Sequence, residues 1–374
     1  MSDSGKRTRQ SSGSDFQDIF SDTSHKVNKK HFKKKKKHPA LRRIGILLLS
    51  LIFIGSGYLM VFYYNTLDSM VYAAADKFNT GSSASLNPVD LKYNGDLLND
   101  PMVLNIMLFG SDTRSTSENG RSDTMIMLSL DNRTKKIKMS SFLRDLWVEI
   151  PGYGNNRLNA AYSFGGPGLT ILTLESNFGI QIDRYAVVDF SSFKSIIDIM
   201  GGIDIELTEF EISYINWQMY ENGQVSDPQY IKSDPGIVHL NGTEALWHAR
   251  NRDSALSDFD RTDRQRQVLN VIINTLKTSS FSQIIDIISE VGPMITTNFK
   301  KSEITALVKN ALTYLSYDVE QFKLPTSDNY YGDKINDMSV LVISDWEQAR
   351  LDLAKFVFED KVSDKSPSNT DDNN

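Results

Sequence analysis

The sequence predicts an α/β protein, a three-layer α/β/α sandwich on a mixed sheet, preceded by one transmembrane helix. Three observations carry this expectation: an uncharged apolar stretch at residues 44–64, a long alternation of strand-like and helix-period segments after residue 95, and the absence of cysteine from all 374 residues. The last excludes a disulfide scaffold, a thiolate metal site and a cysteine nucleophile together. Charge also divides the chain. Residues 1–43 hold 13 Lys and Arg against 4 Asp, a net of +9, so the remainder carries −15 of the overall −6.

Residues 44–64 read IGILLLSLIFIGSGYLMVFYY. As a helix they span about 31 Å, enough to cross the roughly 30 Å hydrocarbon layer of a bilayer. The lysine run at 33–37, with Arg42 and Arg43, stands just before them. By the positive-inside rule it keeps the N-terminus in the cytoplasm and sends the rest outside the cell membrane. A cleaved signal peptide is the alternative, with Ala73, Ala74 and Ala75 as a cleavage site. The apolar stretch is too long for one and the basic leader exceeds 40 residues, so an uncleaved signal-anchor is expected. The lysine run lacks interleaved aromatics and abuts the membrane. Contact with the lipid bilayer explains it better than nucleic acid, and no nucleic-acid partner is expected.

Residues 1–43 read as a disordered basic cytoplasmic tail, and 65–95 as a juxtamembrane helix followed by a linker, NTGSSASLNP. Residues 96–361 form the extracellular folded body, and 362–374 a disordered polar tail. Within the body, apolar runs predict strands at 103–109, 124–130 and 136–142, then a helix at 167–178. A strand at 185–189, a helix at 190–200 and a strand at 203–207 follow, with helices over most of 242–314. A strand at 321–324 and a helix at 344–358 close the body. Such alternation packs helices against a mixed sheet.

Several chemistries are missing. Of five histidines, His25, His31 and His38 lie in the basic tail, leaving only His239 and His248 in the body. That is too few for a His-rich zinc site, and HExxH, GxSxG and GxxxxGK[ST] are all absent. His248 reads as a packed helix residue.

Three stretches carry chemistry. In LNIMLFGSDTRSTSENGRSDT, residues 104–124, one strand ends at Gly110 just before Asp112, and the next begins beside Asp123. Strand ends beside glycine-permitted turns are where α/β folds place ligands. If the strands are neighbours, both carboxylates can approach one point. Hard oxygen donors of this kind suit Mg2+ (or Mn2+), whose shell is completed by water and substrate phosphates. The spacing equally allows Asp112 to cap a turn and Asp123 a strand. In SFLRDLWVEIP, residues 141–151, Arg144 and Asp145 again follow a strand. The third stretch, ARNRDSALSDFDRTDRQRQ at 249–267, holds five arginines and no lysine in an acidic body. Arginine's planar fork grips phosphate bidentately. Helical spacing puts Arg261, Arg264, Gln265 and Val268 on one face, with Arg266 pointing elsewhere. Four aspartates in the same stretch permit a solvated, ion-paired helix instead. Two carboxylates and several convergent arginines would suit a diphosphate and a divalent ion, hence phosphoryl transfer.

These residues closely resemble the LytR-CpsA-Psr family of Gram-positive envelope proteins. The motifs FGSDTR, RSDTMIML, SFLRDLWVEIPGYG, LNAAYSFGG, VDFSSFKSIIDIMGGIDIEL and HARNR with DFDRTDRQRQ occur in family order over residues 103–277. The resemblance implies an enzyme, an extracellular phosphotransferase. Such an enzyme moves a glycopolymer from a polyprenyl-diphosphate carrier to a peptidoglycan acceptor through a phosphodiester bond. By motif position Asp112 and Asp123 would hold Mg2+. Arg144, Arg250, Arg252 and Arg261 would grip the phosphates, with Gln265 bonding nearby and Arg264 a weaker partner. Asp123, Arg144, Arg250 and Arg252 would be the catalytic set. The family's lipid pocket lies between sheet and helices, and a helix such as 268–276 could serve as its wall or equally as ordinary core, so the sequence assigns no lipid-contact residues. Two departures stand out: Asp260, where the family often has a small residue, and a variable insertion at 214–233. The rivals are a diphosphatase that uses water as acceptor and a non-catalytic envelope sensor or transcriptional regulator. The regulator would need DNA contact from a tail without a helix-turn-helix pattern. On this reading Arg250→Ala or Asp123→Ala abolishes transfer and leaves the fold intact.

Overall fold

Alternating apolar residues set the centre of the fold, because successive side chains of a strand face opposite sides of a sheet. The computed structural model describes residues 97–112, 120–251 and 257–359, together with 65, 67–68 and 71–72. They belong to one of the chain's two units, residues 59–374. The apolar stretch at 44–64 and both polar tails lie outside the described residues. Among the described residues no helix is long and apolar enough to cross a membrane.

The chain runs through β1 (Val71–Tyr72), β2 (Val103–Ser111), β3 (Ser122–Asp131), β4 (Lys136–Phe142), β5 (Trp147–Ile150), β6 (Gly154–Arg157) and α1 (Leu158–Phe178). It continues through β7 (Arg184–Asp189), α2 (Phe190–Ile199), β8 (Ile203–Leu207), α3 (Glu209–Glu221), β9 (Gly236–Leu240), α4 (Gly242–Arg250) and α5 (Ser257–Thr278). Then come α6 (Phe281–Val291), β10 (Thr296–Thr297), α7 (Lys301–Lys309), α8 (Ala311–Leu315), β11 (Asp318–Leu324), β12 (Tyr330–Ile335), β13 (Met338–Ile343) and α9 (Trp346–Phe358). Seven strands form one sheet in the order β1-β10-β7-β2-β3-β4-β11. It is mixed: β2 pairs antiparallel with β3 but parallel with β7, and β4 pairs antiparallel with β3 but parallel with β11.

Period-2 alternation gives the sheet two apolar faces. Val103, Met107 and Phe109 of β2, with Met125 and Met127 of β3, pack against Leu158, Tyr162 and Leu169 of α1 and Leu353 of α9. Ile106, Leu130 and Ile137 point the other way, toward Ile304 and Val308 of α7. A separate cluster joins Ile197 of α2, β8, α3, β9 and α4 to Val268 of α5.

The strands and helices expected within 96–361 recur, with differences at their ends. Helix α1 begins at Leu158 rather than 167, and its interior breaks at Gly165 and Gly166, where Gly166 has φ 63°. Pro167 therefore opens only the second segment, since its ring suits a helix's first turn. The juxtamembrane helix expected at 65–77 is not continuous, because Val71–Tyr72 pairs with β10 as an edge strand. Leu67 is buried against the second face, so the folded body takes in residues before 96. Two hairpins, β5–β6 and β12–β13, and the pair α3 and β9 were not anticipated.

Candidate active site

A bulge aims the first carboxylate. Strands β2 and β3 pair Gly110 with Thr124 and then Ser111 with Ser122, so Asp123 is the extra residue at the register shift. Gly110 is required there: a Cβ would lie 2.9 Å from the Thr124 Cβ. The neighbouring strands bring Asp112 to the same end, its amide donating to the Arg121 carbonyl at 3.1 Å. The Asp112 Oδ1 accepts from the Arg121 amide, so the turn-capping role is realised. Asp123 meets guanidinium groups instead. Arg144 Nη1 donates to its Oδ1 at 2.9 Å, and Arg261 Nη1 lies 3.7 Å from its Oδ2. Arg261 Nη2 also donates to the Asp123 carbonyl at 3.4 Å.

The unanticipated hairpin β5–β6 extends this network. Its last residue, Arg157, donates from Nη1 to Asp145 at 3.1 Å, while Arg144 Nε donates to the same carboxylate at 3.3 Å. Tyr162 of α1 stands against Ser111 and Asp112, and burial pushes its phenol up to about 12. It remains a protonated phenol at neutral pH.

The opposite side is helical. Asn241 and Glu244 form a capping box that starts α4. Gly242 lets that turn press on α2, since a Cβ would lie 2.1 Å from the Lys194 carbonyl. At its other end the Arg250 guanidinium sits over the Phe190 ring at 4.6 Å and the Trp247 ring at 5.1 Å. On α5, Arg261 is only 2% exposed.

Behind these groups lies a cavity of about 590 Å³, within the roughly 300–1,000 Å³ usual for ligand sites. Asp123, Asp189, Arg250, Arg261 and Gln265 stand among its lining residues. The rest is chiefly apolar: Leu108, Ile126 and Val188 from the sheet, Val268, Leu269, Ile272 and Leu276 from α5, Ile284, Ile288 and Val291 from α6, and Leu307 and Val308 from α7. Val268 to Leu276, which the sequence could not tell from ordinary core, thus lines the cavity. The α6 contribution was missed, although a signal existed: Ile284, Ile287, Ile288 and Val291 recur at i, i+3, i+4 and i+7.

The structure thus joins Asp123, Arg144 and Arg261 directly and brings Arg250 and Gln265 to the same cavity. Arg264 requires a correction. Although it shares a helical face with Arg261, its Nε donates to Glu211 Oε1 at 2.9 Å and its Nη1 to the Asn251 carbonyl at 3.0 Å. Helix α3, whose capping box presents Glu211, draws that fork away from the cavity. Arg266 points elsewhere as expected, donating to Gln321 at 3.0 Å. Arg252 lies outside the described residues. His248 is fully buried, its Nε2 3.1 Å from Gln267 Oε1, and burial lowers its pKa. Arg157, Phe190 and Tyr162 were missed, because single residues outside an arginine-rich stretch carry no spacing signal.

Among the described residues no group of three or more His, Cys, Asp or Glu could hold a metal ion. Two carboxylates at one strand end nevertheless fit Mg2+ or Mn2+, which need only one or two alongside substrate phosphates.

The LytR_cpsA_psr family profile matches residues 58–352, further in both directions than the motifs alone reach. The chain is 33% identical over 303 residues to the polyisoprenyl-teichoic acid–peptidoglycan teichoic acid transferase TagV of Bacillus subtilis, covering 78% of this chain and 72% of that one. It is 30% identical over 337 residues to the TagU transferase of Oceanobacillus iheyensis, covering 87% and 96%. Its fold also resembles that of TagT, a LytR-CPS2A-psr family protein with bound octaprenyl pyrophosphate lipid, at a TM-score of 0.53 and 21% identity, covering 70% and 93%. On a family match that spans most of its length, this chain belongs to the LytR_cpsA_psr family.

Proposed function

We propose that the chain is a membrane-anchored phosphotransferase whose catalytic body faces outward and moves a glycopolymer from a polyprenyl-diphosphate carrier to peptidoglycan. The observation that carries this reading is an arginine-bearing mouth opening onto an apolar chamber. A diphosphate with a long prenyl tail has that polarity. The names of the TagV and TagU relatives and the lipid bound to TagT support it. The apolar stretch at 44–64 supports the anchor and the basic leader the orientation.

In this reading the prenyl chain enters the chamber and the diphosphate stays at the mouth. Arg250 and Arg261 bind it from the helix side and Arg144 from the strand side. Arg252, in the same stretch, joins them. Gln265 donates from its amide. Asp112 and Asp123 would hold Mg2+ or Mn2+, which would supply charge neutralisation on the diphosphate. A peptidoglycan hydroxyl attacks the sugar-proximal phosphorus and loses its proton to solvent, a new P–O bond forms, and the bond to the bridging oxygen breaks as polyprenyl phosphate leaves. Charge builds on the phosphoryl oxygens, where fixed guanidinium groups stabilise it more than they stabilise the ground state.

The test uses the full chain in vesicles with carrier-linked glycan, with and without peptidoglycan. Polymer joined to peptidoglycan only when both Mg2+ and acceptor are present is expected. Release of phosphorylated glycan at the same rate without acceptor would make the protein a diphosphatase and end this reading.

A further inference from the structure

Arg250 is held by aromatic faces on a helix side of the mouth that is itself tied to the variable insertion. Phe190 opens α2, and Trp247 lies one turn before Arg250 on α4. Together they contact the guanidinium at 4.6 and 5.1 Å. A guanidinium's N–H donors lie in its own plane, so rings packed on its faces fix that plane and with it the directions in which the donors point. The Trp247 ring is set in turn. Its indole Nε1 donates to Gln224 Oε1 at 2.7 Å. Gln224 is fixed by the end of α3: the Gly223 amide donates to the Tyr220 carbonyl and the Gln224 amide to the Met219 carbonyl, each at 2.9 Å, with Gly223 at φ 65°. That is a Schellman motif, which only a residue at ease with positive φ completes. Asn216 exchanges two hydrogen bonds with the Ile231 backbone and holds the rest of the insertion on α3.

We infer that Phe190 and Trp247 are positioning residues that hold Arg250 at the mouth, and that Gln224 of the insertion sets the Trp247 ring through its indole N–H. The inference rests on Arg250 as a diphosphate-binding group and adds what orients it. A change in the insertion thereby reaches the phosphate site without touching substrate.

The test measures binding of octaprenyl diphosphate and of uncharged octaprenol to the full chain in nanodiscs. Trp247→Leu removes both ring and N–H, and weakens the diphosphate roughly tenfold while octaprenol is unchanged. Trp247→Phe keeps a ring face and recovers most of that loss, remaining about threefold weaker. Gln224→Leu also weakens the diphosphate about threefold in the wild-type background, but adds nothing to Trp247→Phe, because the two share one hydrogen bond. Unchanged diphosphate binding by Trp247→Leu overturns the inference. So does an equal loss of octaprenol, which marks a packing defect, or a full extra loss from Gln224→Leu on top of Trp247→Phe. Arg250→Ala binding the diphosphate as the wild type does would instead end the proposed function, a separate and distinguishable result.

Discussion

Arg144, on the strand side of the mouth, is gripped edge-on by carboxylates, Asp123 at 2.9 Å and Asp145 at 3.3 Å, whereas Arg250, on the helix side, lies against the faces of Phe190 and Trp247. Both are cations of the candidate site, yet removing them should have unlike consequences. A carboxylate partner becomes a buried, uncompensated charge when its guanidinium goes, and the reverse also holds. An aromatic partner leaves no orphan charge. The carboxylate contacts of the strand side therefore couple binding to folding, and the ring contacts of the helix side do so less.

Asp123→Ala tests the coupled side and has the largest expected effect. It removes the carboxylate shared by Arg144 and by Arg261, which is 2% exposed. Loss of about 3–5 kcal/mol in urea unfolding is expected, together with loss of transfer. Sequence alone predicted an intact fold for this substitution; the burial of Arg261 is what changes that expectation. An unfolding midpoint equal to the wild type's would show that the strand-side ion pairs carry no stability and erase the contrast.

Arg250→Ala tests the less coupled side. Transfer falls about 100- to 1,000-fold, the usual consequence of deleting one transition-state charge donor, while unfolding shifts by less than about 1 kcal/mol. A stability loss as large as that of Asp123→Ala would mean that Arg250 is structural as well.

The same contrast bears on what the sequence could disclose. The central sheet was legible because its strands alternate between two apolar faces, as Met107 and Leu108 do. Asp123 and Arg261 were legible because strand ends beside glycine and arginine-rich helices are chemically conspicuous. The aromatic support of Arg250 was not: Phe190 and Trp247 are 57 residues apart and meet only through the packing of α2 on α4. Hairpin β5–β6 escaped for a different reason, since Gly154–Arg157 is a short polar strand without period-2 alternation. The turn of Arg264 toward Glu211 was not legible, because a shared helical face says nothing of which acceptor lies nearer, and Glu211 arrives on α3, a helix that was not foreseen.

Acid should loosen the helix side further. Burial lowers the pKa of His248 below the ordinary histidine value of 6.5, so it stays neutral in the fold while the unfolded chain takes up a proton as pH falls below that value. Stability is therefore lost from about pH 6.5 downward. Burial alone would raise Glu211, but hydrogen bonds from Thr208 and Arg264 outweigh it and hold the carboxyl below the ordinary glutamate value of 4.5. Its contribution is present above pH 4.5 and lost as pH falls through the lower folded value. Urea midpoints measured from pH 4 to pH 8 should fall on acidification, and His248→Gln should flatten the curve below about pH 6.5. Superimposable slopes for the two proteins would remove His248 from this account.

Arg264→Ala has the smallest expected effect, and it sharpens the boundary of the site. Its fork satisfies Glu211 and the Asn251 carbonyl at the end of α4, with side chains 13% and 14% exposed for the ion pair. Removing it should cost roughly 1–2 kcal/mol of stability, because a partly buried carboxylate loses a charged donor. Transfer by the folded protein should change less than about threefold, since a group aimed at α3 gives the transition state nothing that the ground state lacks. A loss of transfer comparable to that of Arg250→Ala would show that the fork leaves Glu211 when the carrier binds. The phosphate grip would then extend one helical turn further along α5, and Glu211 would be its resting partner rather than its reason for pointing away.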